Sequence, residues 1–413
     1  MALSSRGKAI VLGAGLQGVC ASLALAREGF SVALIDKSRD CLLRASLRNE
    51  GKIHLGFVYT NDRTFRTSVL MLHAALQFAP LIECWVGRKI DWRQLRSRPF
   101  VYGIPEDTML GADQVREAFS HLQREFVSYR ERHPVNYLGA SPDTIFNTAP
   151  VSELRALVDP QYVPQLINTC EVALDLPAFR SLLKATLEDS IEIEPFYGRT
   201  VEGVNRTPNG YAVEGADRLG KTWRQEGDIV VNCLWEGRLK IDRTMGIEPD
   251  RRWVYRLKYR MIGDTPAALT ASPSLTLVVG PYGDLVVYPT GRTYLSWYPD
   301  CMQGWCEELS IPEAWQAACD GIPAEPQAAK IAASARQSFA RIVPGLRQFT
   351  PDTIDAGVIF SWGQTDIDDP VSALHGRSEI GVTATDGYFS INTGKLTTAP
   401  LFAEDLVRLV RRL

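Results

Sequence analysis

The chain has little of what gives a chemistry away by itself. Histidine occurs five times in 413 residues, at positions 54, 73, 121, 133 and 375. The eight cysteines (Cys20, Cys41, Cys84, Cys170, Cys233, Cys301, Cys306, Cys319) are scattered. They show neither a C-x-x-C pair nor a cysteine–histidine cluster, so no zinc site is expected and they read as buried thiols in a reducing compartment. A basic excess is missing too: 45 Lys plus Arg against 48 Asp plus Glu leave a net charge of -3. Nucleic acid and anionic membrane surfaces are poor partners for such a balance. No uninterrupted apolar run approaches the roughly 18 residues of a spanning helix, and residues 1–8 have no apolar signal core. The expectation is a cytoplasmic protein with no integral membrane segment. Repeats and low-complexity linkers are also lacking, while 45% apolar residues can fill cores in about two to three domains.

What is present begins close to residue 1. Ala9 to Leu12 is a short apolar run of the buried parallel-strand kind, Val19 to Arg27 continues with helical spacing, and Ser31 to Ile35 reads as a second strand. Between the first strand and the helix lies Gly13-Ala14-Gly15-Leu16-Gln17-Gly18. A G-x-G-x-x-G in that context is a dinucleotide fingerprint. Gly13 allows a tight turn, Gly15 lets the backbone approach a pyrophosphate at the helix start together with Leu16 and Gln17, and Gly18 permits close helix–strand packing. Asp36, followed by Lys37, ends the second strand 23 residues after Gly13, where an acid takes ribose hydroxyls and disfavours a 2′-phosphate.

Further along, helices are expected over Thr64–Val86, Ala112–His133, Leu176–Glu188, Pro312–Ile342 and Ala399–Arg411. Strands are expected over Ile191–Phe196, Thr200–Asn205, Tyr211–Glu214, Asp228–Cys233, Thr353–Ile359 and Gly387–Ile391. Residues 208–210 make a hairpin turn, and 251–300, rich in β-branched and aromatic residues, read as an antiparallel sheet.

Three separated segments carry a family resemblance. The glycine turn is the first. The second, Asn49-Glu50-Gly51-Lys52-Ile53-His54-Leu55-Gly56-Phe57-Val58-Tyr59, resembles the N-x-G-x-I-H-x-G-x-x-Y stretch of L-2-hydroxyglutarate dehydrogenases. The third, Gly394-Lys395-Leu396-Thr397-Thr398, is similar to the G-G-K-L-T-T segment of glycerol-3-phosphate dehydrogenases, with Thr393 in place of the first glycine. Together they resemble FAD-dependent oxidoreductases of the D-amino acid oxidase and glycerol-3-phosphate dehydrogenase superfamily. That resemblance implies a mixed α/β fold, a Rossmann-like FAD-binding domain (1–86, 151–245 and 350–413) interleaved with an antiparallel-sheet substrate domain (87–150 and 246–349).

It also implies noncovalent FAD, held by Gly13, Gly15, Leu16, Gln17, Gly18, Asp36, Lys37, Asn49, Gly51, Val201, Cys233, Gly394, Lys395, Leu396 and Thr397. Oxidation of a CH-OH or CH-NH bond in a small hydroxy acid or amino acid would follow, with oxygen or another electron acceptor reoxidising the flavin. An accessory FAD without turnover is the alternative. His54 is the favoured proton acceptor and Lys395 the cation beside the flavin. Arg377 stands where relatives carry a phosphate-gripping S-R pair. The family's V-V-N-A-A-G is here Val230-Val231-Asn232-Cys233-Leu234-Trp235-Glu236-Gly237, a departure that places two large residues and an acid at the cofactor-side turn. Trp362 stands at the place of the relatives' G-x-R-P arginine. Arg256, Lys258 and Arg260 alternate on one strand face, which reads as a solvated face. The rings of Tyr282, Tyr288, Tyr294, Trp297 and Tyr298 offer a pocket wall or plain sheet packing.

Overall fold

The computed structural model describes residues 6–149 and 155–413. Strand β1 (Gly7–Leu12), helix α1 (Leu16–Arg27) and strand β2 (Phe30–Asp36) form the expected unit. β1 pairs in parallel with β2 on one side and with Ile229–Asn232 on the other, so Leu12 lies level with Ile35 and Asn232. Ile193–Tyr197 and the hairpin Gly381–Thr385/Tyr388–Asn392 extend this to a six-stranded sheet. The near-continuous apolar strands suit burial on both faces. α1 and the last helix, Ala399–Val410, pack together over one face, burying Val19, Leu23, Phe402 and Leu406 among others. Because the strands run in register, their C-terminal ends open on one edge, where open α/β sheets bind ligands.

Three further sheets complete the mixed α/β architecture, the smallest being the antiparallel pair of Lys52–Ile53 with Val172–Ala173. Arg199–Thr207, Gly210–Asp217 and Thr222–Gly227 make an antiparallel meander, turned at Pro208–Asn209 as its sequence indicates. A nine-stranded sheet holds the strands between 253 and 306 together with Phe100–Ile104, Phe146–Thr148, Gln165–Thr169 and Pro351–Trp362. Its pairings are antiparallel except that Ser274–Leu277 runs parallel to Phe100–Ile104. Two strands that the sequence groups with the dinucleotide part, Gln165–Thr169 and Pro351–Trp362, hydrogen-bond into this sheet. Pro351–Trp362 pairs along its length with Trp253–Asp264 and also contacts the turns at Arg44–Ser46 and Trp235–Gly237 of the other part of the fold.

Helix α2 (Arg66–Val86) starts two residues later than expected. The Asp62 carboxylate accepts the N–H groups of Thr64 and Thr67, and Phe65 at the helix N-cap has φ 56°, so the helix begins after it. α2 is long and apolar enough to cross a membrane by length and composition, yet Met71, Leu72, Leu76, Phe78, Ala79 and Ile82 are all buried in the protein. It packs against α1, Ala112–Arg132 and the last helix. The stretch 312–342 is not one helical section: short turns at Glu313–Trp315 and Gln316–Cys319 precede Gln327–Ile342. Gly321, at φ 86°, and the prolines 323 and 326 break it. All eight cysteines are free, but Cys84 is exposed and Cys170 half-buried, against the expectation of uniformly buried thiols.

Candidate active site

The open edge of the six-stranded sheet leads into a cavity of about 420 Å³ that runs between the sheets. One end is lined by the glycine turn (Gly13–Gln17), Asp36, Lys37 and Arg199–Val201, and the other by Glu50, Lys52, His54, Lys258, Asp284, Tyr294 and Lys395. The start of α1 thus opens on the cavity with the positive end of its dipole.

The local geometry explains the glycines. Gly13 has φ 96°, and a Cβ on Gly18 would stand 1.7 Å from the Gly13 carbonyl oxygen, so Gly18 serves packing and does not line the cavity. A Cβ on Gly15 would meet only the Ser46 hydroxyl, at 3.0 Å; this is the open side of the turn. Asp36 faces the cavity, but its carboxylate already accepts the N–H groups of Ala14 and Ser38, each at 2.6 Å. Each oxygen keeps a lone pair for a ribose hydroxyl.

Glu236, unexpected in the cofactor-side turn, has an evident role. It accepts from Arg44 at 3.1 Å and stands 3.5 Å from Lys37. Burial alone would raise its carboxyl, yet Arg44 and Lys37 hold it below the ordinary range. Arg44 also bonds Asp320 and Gln316, so this one guanidinium joins the loop after β2, the turn after Ile229–Asn232 and a turn of the other half of the fold. Trp235 donates to the Val358 carbonyl at 2.8 Å, tying the same turn to the large sheet.

At the inner end charged groups crowd together. Lys52 is buried; its ammonium is 2.7 Å from Asp284, also bonds Thr276 and lies 4.2 Å from the Phe100 ring centre. Burial would depress it, but Asp284 and Glu171 hold it above its usual value. Burial brings His54 down to about 4, with Glu50 opposing, so the imidazole is neutral at neutral pH. Glu50, open to the cavity, would be raised by burial, but His54, Lys395, Lys258 and Lys52 hold it well below the carboxylate range. Burial lowers Lys395 to about 8, again with Glu50 opposing. The half-exposure of its side chain opens on the cavity that it lines.

Gly13, Gly15, Leu16, Gln17, Asp36, Lys37, Asn49, Val201, Cys233, Gly394, Lys395, Leu396 and His54 all line the cavity. Gly18, Gly51, Thr397 and Arg377 do not. Gly51, at φ 74°, is pressed against the Leu174 carbonyl, and the Thr397 hydroxyl is taken by the His54 N–H at 2.9 Å; both shape the segment rather than face a ligand. Arg377 holds the Phe360 carbonyl at 2.9 Å and the Ser361 hydroxyl at 2.7 Å, beside Tyr59 and Arg256. The face of Arg256, Lys258 and Arg260 is not solvated. Arg256 is buried on Tyr298, Asp366 and Ser361, and Arg260 on Asp355. Lys258 opens on the cavity, while the neighbouring strand Pro351–Trp362 supplies the Ser361 and Asp355 partners of the two arginines. Of the aromatic group, Tyr294 reaches the cavity wall. Trp362 lies near the surface, donating to the Glu379 carbonyl at 3.1 Å. Sequence reasoning assigned no role to Glu50, Lys52, Glu171, Asp284 or Arg44; only the first two stood inside a segment it had singled out.

The residues present fit FAD: a fingerprint turn at one end, an acid level with it, and a cavity continuing past the Asn49 and Lys395 segments. With that geometry in place, the comparisons are specific. A family model described as FAD dependent oxidoreductase matches residues 8–409. No curated protein matches the sequence. Among solved structures, the fold is similar to glycine oxidase from Geobacillus kaustophilus (13% identity, TM-score 0.65, 99% of this chain and 95% of that one). It is also similar to L-proline dehydrogenase from P. horikoshii (14%, 0.66, 99% and 94%). A third is dithionite-reduced L-alpha-glycerophosphate oxidase from Mycoplasma pneumoniae with FAD bound (13%, 0.65, 99% and 95%). The chain belongs to the DAO family of FAD-dependent oxidoreductases.

Proposed function

We propose that the chain oxidises a CH-OH or CH-NH bond of a small carboxylate-bearing metabolite, a hydroxy acid or an amino acid, and passes the electrons from noncovalent FAD to oxygen or another acceptor. One observation carries the anionic substrate. Lys258 and Lys395 line the cavity and form no ion pair among the described residues, whereas Lys52, Arg256 and Arg260 each have a carboxylate partner. Glu50 and Asp284 act on Lys395 only from beyond ion-pair distance, and two ammonium groups with no direct carboxylate partner in a low-dielectric site favour an anionic ligand. The solved relatives named for glycine, proline and glycerophosphate support a small polar substrate, and the likeness of Asn49–Tyr59 to L-2-hydroxyglutarate dehydrogenases supports a hydroxy acid.

The flavin, when bound, supplies a two-electron acceptor. The protein supplies the rest. Lys395, at the start of the turn leading into the last helix, offers positive charge to the anion that builds up on flavin reduction. Glu50 and His54 stand on the same cavity wall to take the proton that the substrate hydroxyl or amine gives up. Noncovalent attachment is supported by the one cysteine on the cavity wall, Cys233, which packs at the glycine turn and whose thiol burial pushes up, leaving it unreactive.

The test is a set of equilibrium titrations of the FAD-loaded protein with paired small acids and their primary amides, read by perturbation of the flavin absorbance. Acids are expected to bind roughly 100-fold more tightly than their amides, as the loss of a charge-assisted contact implies. Equal affinities would remove the case for an anionic substrate.

A further inference from the structure

Behind the cavity wall lies a buried carboxyl that the account so far leaves without a task. Glu171 is fully buried. Its Oε2 accepts the Leu55 N–H at 2.6 Å and its Oε1 accepts the Tyr102 hydroxyl. That same Oε1 stands 4.0 Å from Nδ1 of His54, while Nε2 on the opposite edge of the ring is 3.7 Å from Oε1 of Glu50. His54 is 3% exposed, and its Nδ1 has no hydrogen-bond partner. A buried ring nitrogen is rarely left in that state. Contacts of this length tighten to hydrogen bonds when a site is engaged.

We propose that Glu171 is a positioning residue that sets the tautomer of His54 and, through it, receives the proton that the substrate delivers to Glu50. The proposal rests on the reading of the function given above. A neutral imidazole has one N–H, so between two carboxyls it can serve only one at a time. With Glu171 ionised, the proton sits on Nδ1 and faces Glu171. On oxidation the substrate O–H or N–H bond breaks and its proton goes to Glu50. The C–H electron pair leaves as hydride for the flavin, and C=O or C=N remains. The proton then passes from Glu50 to Nε2 as the Nδ1 proton passes to Glu171. One proton has moved across the ring, two electrons have gone to the flavin, and His54 is neutral at both ends.

The surroundings make the transfer directional. Glu50 is held well below the carboxylate range, whereas burial pushes Glu171 up to about 7, with Lys52 opposing. The proton therefore leaves the cavity side for the buried side. Besides the two carboxyls, His54 is faced by Lys52, Lys395 and the Tyr59 ring. Glu171 is faced by Lys52, Asp284, Tyr102, Tyr137 and Cys170. Burial pushes the two tyrosines and the cysteine far above neutrality. Lys395 titrates near 8, and a Glu171 substitution leaves that step in place.

The experiment uses FAD-loaded protein labelled with 15N-histidine, with the His54 signals identified by their loss in His54→Gln. In wild type the tautomer is expected to swap from Nε2–H at low pH to Nδ1–H at high pH, with a midpoint at about 7 and no cationic imidazole in between. Glu171→Gln abolishes the swap. Tyr102→Phe, which takes a hydrogen bond from the ionised carboxylate, moves the midpoint upward, so the question is decided even where Glu171→Gln does not fold. Anaerobic flavin reduction should rise about tenfold through the same midpoint in wild type; in Glu171→Gln that rise is missing and only the fall near 8 from Lys395 remains. A wild-type tautomer that ignores pH, or a swap that persists in Glu171→Gln, overturns the proposal. A swap without reduction by any acid supports the Glu171–His54 coupling and counts against the proposed function instead.

Discussion

Replacing Lys395 with methionine should stabilise the protein stripped of FAD while crippling its chemistry. Burial lowers this ammonium from 10.5 to about 8, and a drop of that size corresponds to about 3 kcal/mol by which folding disfavours the charged form. Since the half-exposed side chain opens on the cavity, that figure is an upper value. Methionine keeps the length of the stem and removes the charge. At pH 7, where Lys395 is charged both folded and unfolded, the full difference applies, and the apoprotein should melt roughly 3 to 4 °C higher for a chain of this length. The sign with pH follows from linkage. The folded pKa lies below the unfolded one, so the wild-type handicap is complete below about 8 and shrinks as pH rises towards 10.5. The gap in melting temperature should close over that window. In FAD-loaded protein, Lys395→Met should slow anaerobic flavin reduction by roughly 100-fold, as removal of a charge-stabilising donor does. Scanning calorimetry of the two apoproteins from neutral to alkaline pH, with stopped-flow absorbance, decides it. A variant that melts lower than wild type, or a gap that ignores pH, would refute the reasoning.

Other perturbations separate the parts of the site. Gly15→Leu projects into the cavity without meeting backbone and should fold yet purify without flavin, whereas Gly18→Ala, pressed on the Gly13 carbonyl, should lower the melting temperature; circular dichroism and the flavin-to-protein absorbance ratio tell these apart. Arg44→Ala leaves Glu236 beside Lys37 alone and should cost about 3 kcal/mol while speeding FAD release, read by the return of free flavin fluorescence. Lys258→Met, on the cavity wall, should raise KM for the acid about tenfold, the worth of one charged hydrogen bond, with little change in kcat; an unchanged KM removes Lys258 from substrate binding.

The parts of this site that were legible in the sequence are those made by neighbours along the chain. The glycine turn, Asp36, and the Asn49–Tyr59 and Gly394–Thr398 segments each carry a local pattern, and each comes to or borders one cavity. What was not legible depends on strand pairing between distant residues. Glu171 meets His54 across 117 positions because Val172–Ala173 pairs with Lys52–Ile53, and Lys52 meets Asp284, 232 positions away, where that pair abuts the large sheet. Arg256 and Arg260 read as surface cations because alternation reveals a shared face but not what meets it; Arg260 finds Asp355 on the adjacent strand 95 residues further on and the Asn49 carbonyl from the other part of the fold. Glu236 looked like a flaw in a familiar turn until Arg44, with 192 positions between them, supplied its counter-charge. The breaks within 312–342 were visible as glycine and proline, and there the helical periodicity on either side masked them.

The central claim is that this cavity couples a carboxylate-bearing substrate to FAD. Anaerobic mixing of the FAD-saturated protein with a panel of hydroxy acids, amino acids and polyol phosphates tests it most directly. The account predicts that at least one acid bleaches the flavin's visible absorbance completely, with one equivalent of substrate consumed per flavin and no bleaching in Gly15→Leu. Tightly bound FAD that no acid reduces would contradict it and leave a flavin held without turnover.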